Sequence, residues 1–398
     1  MELAKKILNG FSISKSQRRF VQGLFMTILT VRGKVNFRNL SRYSARSEKT
    51  YARQFAKPFP FVPFNRQLIN AVFGLDSERV LAFDPTFIPK AGHHTFGRNR
   101  FWNGLKSRTE KGLEVSALAV VDLTRKQALN LSVQQTLSAE DRPTDATLID
   151  QYLNHIRQVQ PTLLASETYL CVDGGLTRKK LIDGVCALDL QLIGKLRCDA
   201  RMRYFYDGPK RPGRGRQKVY DGPVDWTDLS RFDEVGQDGE IFLYTACLNH
   251  VRFQRTLRVV ALINPEADNP SQPVLLFSTD PDLDAWKIYR YYKARFHIEF
   301  LFRDAKQFTG LADAQVRGAK RLNFHFNAAL TSLNLAKAEI MNTQPMDQPA
   351  ACSIASVKAQ YFNQYFLERI ISIFDLDAKS IKKRPEYQSL RECGKIAA

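Results

Sequence analysis

The chain is short of the features that define several protein classes. Its six cysteines (171, 186, 198, 247, 352 and 393) contain no C-x2-C pair, and its six histidines form only one adjacent pair, His93–His94. That spacing argues against a structural zinc site and against a disulfide framework, and it suits a reducing cytoplasm. No G-x4-G-K-[ST] phosphate loop occurs, so a nucleotide-driven motor is not expected and no nucleotide cofactor is called for. No apolar run approaches the roughly 20 residues needed to cross a bilayer. The first residues, MELAKKILNGFSISKSQ, lack a signal-peptide pattern, which favours a cytoplasmic chain with no membrane partner. Internal repeats and extended low-complexity tracts are also missing. Acids are scarce at one end: residues 1–66 contain only Glu2 and Glu48.

Basic residues fill that gap. The 398 residues hold 59 Lys plus Arg against 40 Asp plus Glu, a net charge of +19, and the 14 basic residues of 1–66 supply 12 of it. A field of that size and asymmetry favours a polyanion such as double-stranded DNA, bound through the N-terminal region. Within it, KVNFRNLSRYSARSEKTYARQFAK reads as two short helices joined near Ser44 to Ser47. Ser47 is placed to cap the second, which would display Lys49, Arg53 and Lys57, with Tyr51 nearby, in the manner of a helix-turn-helix. The same pattern fits a small helical bundle with solvated charges. PFPFVPF at 58–64 reads as a linker, since its three prolines stop a helix. A second basic cluster, Lys210, Arg211, Arg214, Arg216 and Lys218 in KRPGRGRQK, suits either a phosphate backbone or a flexible hairpin tip.

The middle of the chain alternates strand and helix signals. Strands are expected at 80–84, 114–122, 127–136, 168–173 and 190–197, with helices at 145–159 and 176–186, which together imply a mixed sheet covered by helices. Residues 199–273 change texture, rich in Gly, Pro, Arg and Asp before strand-like runs such as EIFLYTACL and LRVVALI; PVLLFSTD at 273–280 resumes the core. Helical spacing returns at 321–341 and 353–375. Trp226 is the only Trp between 199 and 273, where a packing role outweighs base stacking.

Two apolar strands end in aspartates: RVLAFDPTF at Asp84 and TYLCVDGGL at Asp173. Carboxyl ends of buried strands carry site residues into crevices. Asp122, in SALAVVDLT, has the same placement, so the position alone does not select a site. The stretch YYKARFHIEFLFRDAKQ at 291–307 reads as one helix in which Tyr292, Arg295, Glu299 and Lys306 fall within an arc of about 60°. Ile298, Leu301, Phe302 and Ala305 would bury the neighbouring arc, leaving the four polar groups in one exposed row. A solvated face laced by Arg295–Glu299 and Glu299–Arg303 pairs is the plainer alternative.

Together these residues resemble the bacterial DDE insertion-sequence transposases, in particular the group whose third region reads Y-x2-R-x3-E-x6-K. Tyr292, Arg295, Glu299 and Lys306 match it at every spacing, Asp84 in D-P-T matches the first carboxylate region, and Asp173 in V-D-G-G the second. The resemblance covers roughly residues 80–340. It implies an α/β fold: an RNase H-like mixed-sheet catalytic core with a mainly β insertion, plus helical N-terminal DNA-binding and C-terminal regions. The boundaries expected are 1–66 for the basic domain, 76–198 and 273–342 for the core, 199–272 for the insertion and 343–398 for the C-terminal helical region. The resemblance also implies that Asp84, Asp173 and Glu299 bind two Mg²⁺ ions, with Mn²⁺ able to substitute, for phosphoryl transfer. Tyr292, Arg295 and Lys306 would contact phosphates, the insertion with Lys210, Arg211, Arg214 and Arg216 would help hold the element end, and a homodimer would join the two ends. Such a protein would be nucleoid-associated when bound to DNA. The rival readings are a non-catalytic DNA-binding descendant of such an enzyme and an RNase H-like nuclease or resolvase.

Overall fold

The computed structural model describes residues 1–210, 212–266 and 272–396. From the N-terminus come α1 (Glu2–Asn9), α2 (Lys15–Thr30), α3 (Phe37–Arg42), α4 (Glu48–Gln54) and α5 (Phe61–Phe73). The strands β1 (Arg79–Pro89), β2 (Asn99–Asn103), β3 (Arg108–Asp122) and β4 (Gln127–Thr136) follow, then α6 (Leu148–Val159), β5 (Tyr169–Val172), α7 (Lys179–Cys186) and β6 (Gln191–Lys195). Next are β7 (Met202–Phe205), β8 (Tyr220–Pro223), β9 (Asp233–Asp238), β10 (Ile241–His250), β11 (Arg255–Ile263) and β12 (Val274–Ser278). The chain then runs through α8 (Ala285–Arg295), α9 (His297–Phe308), α10 (Ala319–Met341), α11 (Ile354–Ile373), α12 (Ala378–Ile381) and α13 (Pro385–Glu392). Packing divides it into two compact units. One comprises Met1–Glu78, Pro85–Leu148 and the chain from His297 onward; the other comprises Arg79–Asp84 and Ile149–Phe296.

The second unit is built on parallel strands. Val80 to Phe83, Leu170 to Val172, and Leu192 with Ile193 are all fully buried, and a strand buried on both faces reads as a continuous apolar run. The first half of β1 pairs in parallel with β5, and β5 in parallel with β6. Beyond β6 the pairing turns antiparallel through β12, β11 and β10, so PVLLFSTD does rejoin the core sheet. Strands β7 and β9 pair with β10, and β8 with β7, giving the stretch after residue 198 its mainly β character. Trp226 is spent on packing: its Nε1 donates to Ala200 O at 3.1 Å and its ring tilts against Phe232.

The first unit centres on α10, whose buried residues include Phe324, Phe326, Leu330 and Leu333 but also Asn327, Thr331, Asn334 and Lys337. A helix buried on every side needs partners for its polar groups. Asn334 finds them at a bulge in the β3–β4 ladder, where the register shifts between Leu118 and Ala119. Its side chain accepts from Asn130 N at 2.8 Å and donates to Asn130 O at 2.7 Å, while Asn65 donates to Leu131 O. The backbone groups that the bulge withdraws from the ladder are thereby satisfied. Residues 58–64 differ from the linker expected: α5 starts at Phe61 and takes Pro63 into its first turn. The first four N–H groups of a helix have no intrahelical acceptor, so proline costs little there.

Burial also sets one pH dependence. His155 on α6 lies 1 % exposed with its ring edge-on to Phe83, and burial pushes its pKa down to about 3. The folded state refuses a proton that the unfolded chain accepts near pH 6.5, so this contribution is complete above pH 6.5 and lost progressively toward pH 3. At pH 5 the loss is about 2 kcal/mol, at 1.36 kcal/mol per pH unit. His155→Phe should therefore flatten the fall in thermal midpoint between pH 7 and 5. An unchanged slope would show that His155 is not the group responsible.

Candidate active site

Asp84 and Asp173 are brought together by strand register. Leu81 stands opposite Leu170, Ala82 opposite Cys171 and Phe83 opposite Val172. Asp84 and Asp173 each follow the last of these pairs, on strands about 4.8 Å apart; β5 stops at Val172, whereas β1 does not end at Asp84 as expected but continues as strand to Pro89. Asp84 is half-buried and Asp173 exposed. Asp173 makes no side-chain cap bond to the short turn Gly174–Leu176 that follows it. Asp122 behaves otherwise: it is 1 % exposed and its Oδ1 accepts from Arg125 N at 2.7 Å. Asp122, buried and bonded to its own turn, is thus separable from Asp173, which is exposed and caps nothing.

Helix α8 supplies the second element of this cluster. It packs on β5, β6, β11 and β12. Cys171 Sγ donates to Tyr291 O at 3.4 Å, and the rings of Tyr169 and Tyr291 meet edge to face. Tyr292 and Arg295, three residues apart, point the same way, with the guanidinium carbon 5.6 Å from the Tyr292 ring centre. Burial pushes the Tyr292 phenol up to about 12, with Arg295 opposing and the Asp173 carboxylate adding to the shift. Tyr292 is therefore a neutral hydrogen-bond donor near neutral pH. Arg295 is 8 % exposed, which departs from the exposed row expected.

Residues 291–307 do not form one helix. The hydrogen-bond ladder is interrupted at Phe296, where a tight turn donates back to Lys293 O at 3.2 Å, and the two compact units divide immediately after it. The expected row is thus two pairs, Tyr292 with Arg295 on α8 and Glu299 with Lys306 on α9. Glu299 and Lys306 are seven residues apart, which is two turns on one face. Glu299 lies in the first turn of α9, where the helix dipole favours a carboxylate. The apolar arc is as expected: Ile298, Leu301, Phe302 and Ala305 are buried, and α9 packs on β4 and α10. Arg303 pairs with its neighbour Asp304 at 3.1 Å.

Lys306 Nζ donates to Thr86 Oγ1 at 2.8 Å. Thr86 is the last residue of D-P-T, and its hydroxyl orients a lysine 220 positions away, a role the sequence reading did not assign. The threonine beside Asp84 was the available signal. The other basic candidates lie elsewhere. Lys49 and Arg53 are exposed on α4, whose N-cap Ser47 Oγ accepts from Thr50 N as expected; Lys57 falls beyond the helix, and Tyr51 is buried against Phe20, Phe37 and Phe55. Lys210, Arg214 and Arg216 are exposed in the irregular stretch between β7 and β8, Lys218 is paired with Asp221, and Arg211 lies outside the described residues.

Among the described residues no group of three or more His, Cys, Asp or Glu is placed to hold a metal ion. The donor chemistry that is present, two hard carboxylates side by side, fits Mg²⁺ or Mn²⁺ and not a soft thiophilic ion. Also among the described residues, no helix is long and apolar enough to cross a membrane.

A mixed sheet with aspartates on its parallel strands, followed by a glutamate-bearing helix after a β-rich stretch, is the arrangement that the resemblance to the DDE transposases implies. Residues 76–335 match the transposase DDE domain family, and the chain belongs to it. No curated protein matches the chain.

Proposed function

We propose that this chain is a DNA transposase that binds the ends of an insertion sequence, cleaves them and joins them to target DNA. Asp84 and Asp173 emerging in register beside Tyr292 and Arg295 is the observation that carries the reading. A pair of divalent cations held by Asp84, Asp173 and Glu299 would activate the attacking oxygen and stabilise the leaving one. The role of Glu299 follows from its place in the Y-x2-R-x3-E-x6-K pattern. Arg295, buried and always charged, would fix a phosphate oxygen with Tyr292 donating a neutral hydrogen bond beside it, and Lys306, steadied by Thr86, would contact a phosphate in its turn, as its place in the same pattern implies.

In the first reaction the oxygen of water bonds to phosphorus as the P–O3′ bond breaks, leaving a 3′-OH and a 5′-phosphate. In the joining reaction that 3′-OH bonds to a target phosphorus as the target's own P–O3′ bond breaks. The number of phosphodiesters is unchanged, so no energy-supplying nucleotide is needed. Two copies of the chain would hold the two ends, the N-terminal region and the 210–218 cluster adding backbone contacts.

The test is excision of a marked segment flanked by the gene's native borders, in Mg²⁺, by wild type and by Glu299→Gln. Excision by wild type that is lost in the variant supports the reading. Border binding without cleavage by either protein would instead mark a DNA-binding descendant.

A further inference from the structure

The loop after α2 and the short helix α3 belong to the same compact unit as α9. Arg32, Lys34, Arg38 and Arg42 line one concavity with Gly33 and two asparagines. Arg32, Gly33 and Lys34 also line the next, whose other wall is Lys306, Gln307 and Phe308. The two share Arg32, Gly33 and Lys34, which makes them adjoining parts of one basic groove.

Its cations outnumber the one acid that lines it, Asp313. Lys34, Arg38 and Arg42 are exposed, and no ion pair engages them among the described residues. Arg38 and Arg42 are four residues apart on one face of α3, about 6 Å along its axis. The acid of the groove, Asp313, is committed to the fold, its Oδ2 accepting from Val35 N at 2.8 Å. Lys358 is committed as well, donating to Ile28 O and Phe308 O. Arg32 is steadied over the Phe362 ring at 3.9 Å. The loop is also held firmly. Gly310, at φ +77°, stands so close to Val35 that a Cβ there would collide with it, and Asn36 caps α3 by accepting from Asn39 N. A cationic groove lined by a firmly held loop and by Lys306 matches the chemistry of a phosphate backbone.

We propose that this groove is a track for the backbone of duplex DNA, with Lys34, Arg38 and Arg42 carrying phosphates toward Lys306. The proposal rests on the transposase reading for the role of Lys306. It makes the α3 contact independent of sequence, because exposed cations on a short helix and loop neutralise phosphates without reading base edges.

The experiment measures binding of the full chain to a duplex from the gene's borders and to a scrambled duplex of equal length, between 50 and 200 mM salt. Lys34→Gln/Arg38→Gln/Arg42→Gln should lower the slope of log K against log salt by about 3, roughly one per cation, on both duplexes alike. Lys34→Gln alone should lower it by about 1, with thermal midpoints unchanged in both variants. An unchanged slope in the triple variant, or a loss confined to the border duplex, overturns the track and leaves the transposase reading standing. Failure of wild type to bind either duplex overturns both.

Discussion

Asp173→Asn is expected to leave the chain folded and to slow strand cleavage by on the order of 10³-fold or more. The estimate corresponds to losing about 4 kcal/mol of transition-state stabilisation, the scale on which a catalytic metal acts. Stability should not suffer. Asp173 is exposed, caps no helix, and stands level with a second carboxylate, so neutralising it removes a repulsion and breaks no turn. The same geometry gives a readout that does not depend on turnover. A divalent ion bound only by the folded state raises stability by about 2.7 kcal/mol at a hundredfold excess over Kd. Wild type should therefore show a Mg²⁺-dependent rise in thermal midpoint that Asp173→Asn and Asp84→Asn both lose. Cleavage at the wild-type rate by Asp173→Asn, or an undiminished Mg²⁺ shift in it, would sink the two-carboxylate seat. Asp122→Asn is the contrasting control: it weakens a buried turn bond at 2.7 Å, so it should lower stability while leaving the Mg²⁺ shift in place.

What the sequence made legible was what local chemistry determines. The β4 boundaries, the helices spanning Leu148–Val159 and Ala319–Met341 to within a few residues, and the Ser47 cap follow from periodicity and capping. Asp173 was legible as a strand end because β5 is uniformly apolar, whereas Asp84 only closes the apolar half of β1, which runs on to Pro89; the uniform apolarity of both segments is what buries them in parallel. What escaped depends on contacts between distant segments. No glycine or proline marks the break at Phe296, so 291–307 read as one helix. The burial of Arg295 comes from the strands that α8 covers, not from its own spacing. Strand β9, DEVGQD, has Val235 as its one apolar side chain and exists because β10 offers it a ladder. Thr86 and Lys306 meet only in three dimensions. Helix α2 was missed for a related reason: Phe20, Val21, Leu24, Phe25 and Ile28 form its buried face, but KSQRR at its start dilutes the pattern.

The register that pairs the aspartates is fixed partly at the other end of the same strands. Arg79 opens β1 and Glu167 precedes β5, and their charged groups meet at 3.5 Å with both side chains 0 % exposed. Glu167 Oε2 also accepts from Leu164 N at 3.1 Å. Removing Glu167 takes away the carboxylate 3.5 Å from the buried Arg79 guanidinium, so Glu167→Ala is expected to cost about 3 to 5 kcal/mol. Replacing both at once, as Arg79→Met/Glu167→Leu, removes the two desolvated charges together and should recover most of that loss, because a buried pair contributes little beyond a well-packed apolar substitute. Urea unfolding of the three proteins checks this. A single-variant loss below about 1 kcal/mol would mean that the pair is hydrated and not desolvated. The consequence for the site is separate from the consequence for stability. A slip of one residue between β1 and β5 would displace Asp173 by about 3.3 Å and turn it to the opposite face of the sheet. The apolar pairs Leu81–Leu170, Ala82–Cys171 and Phe83–Val172 oppose such a slip by themselves. The double variant should accordingly retain cleavage wherever it retains its fold, whereas Glu167→Ala should lose cleavage in parallel with unfolding.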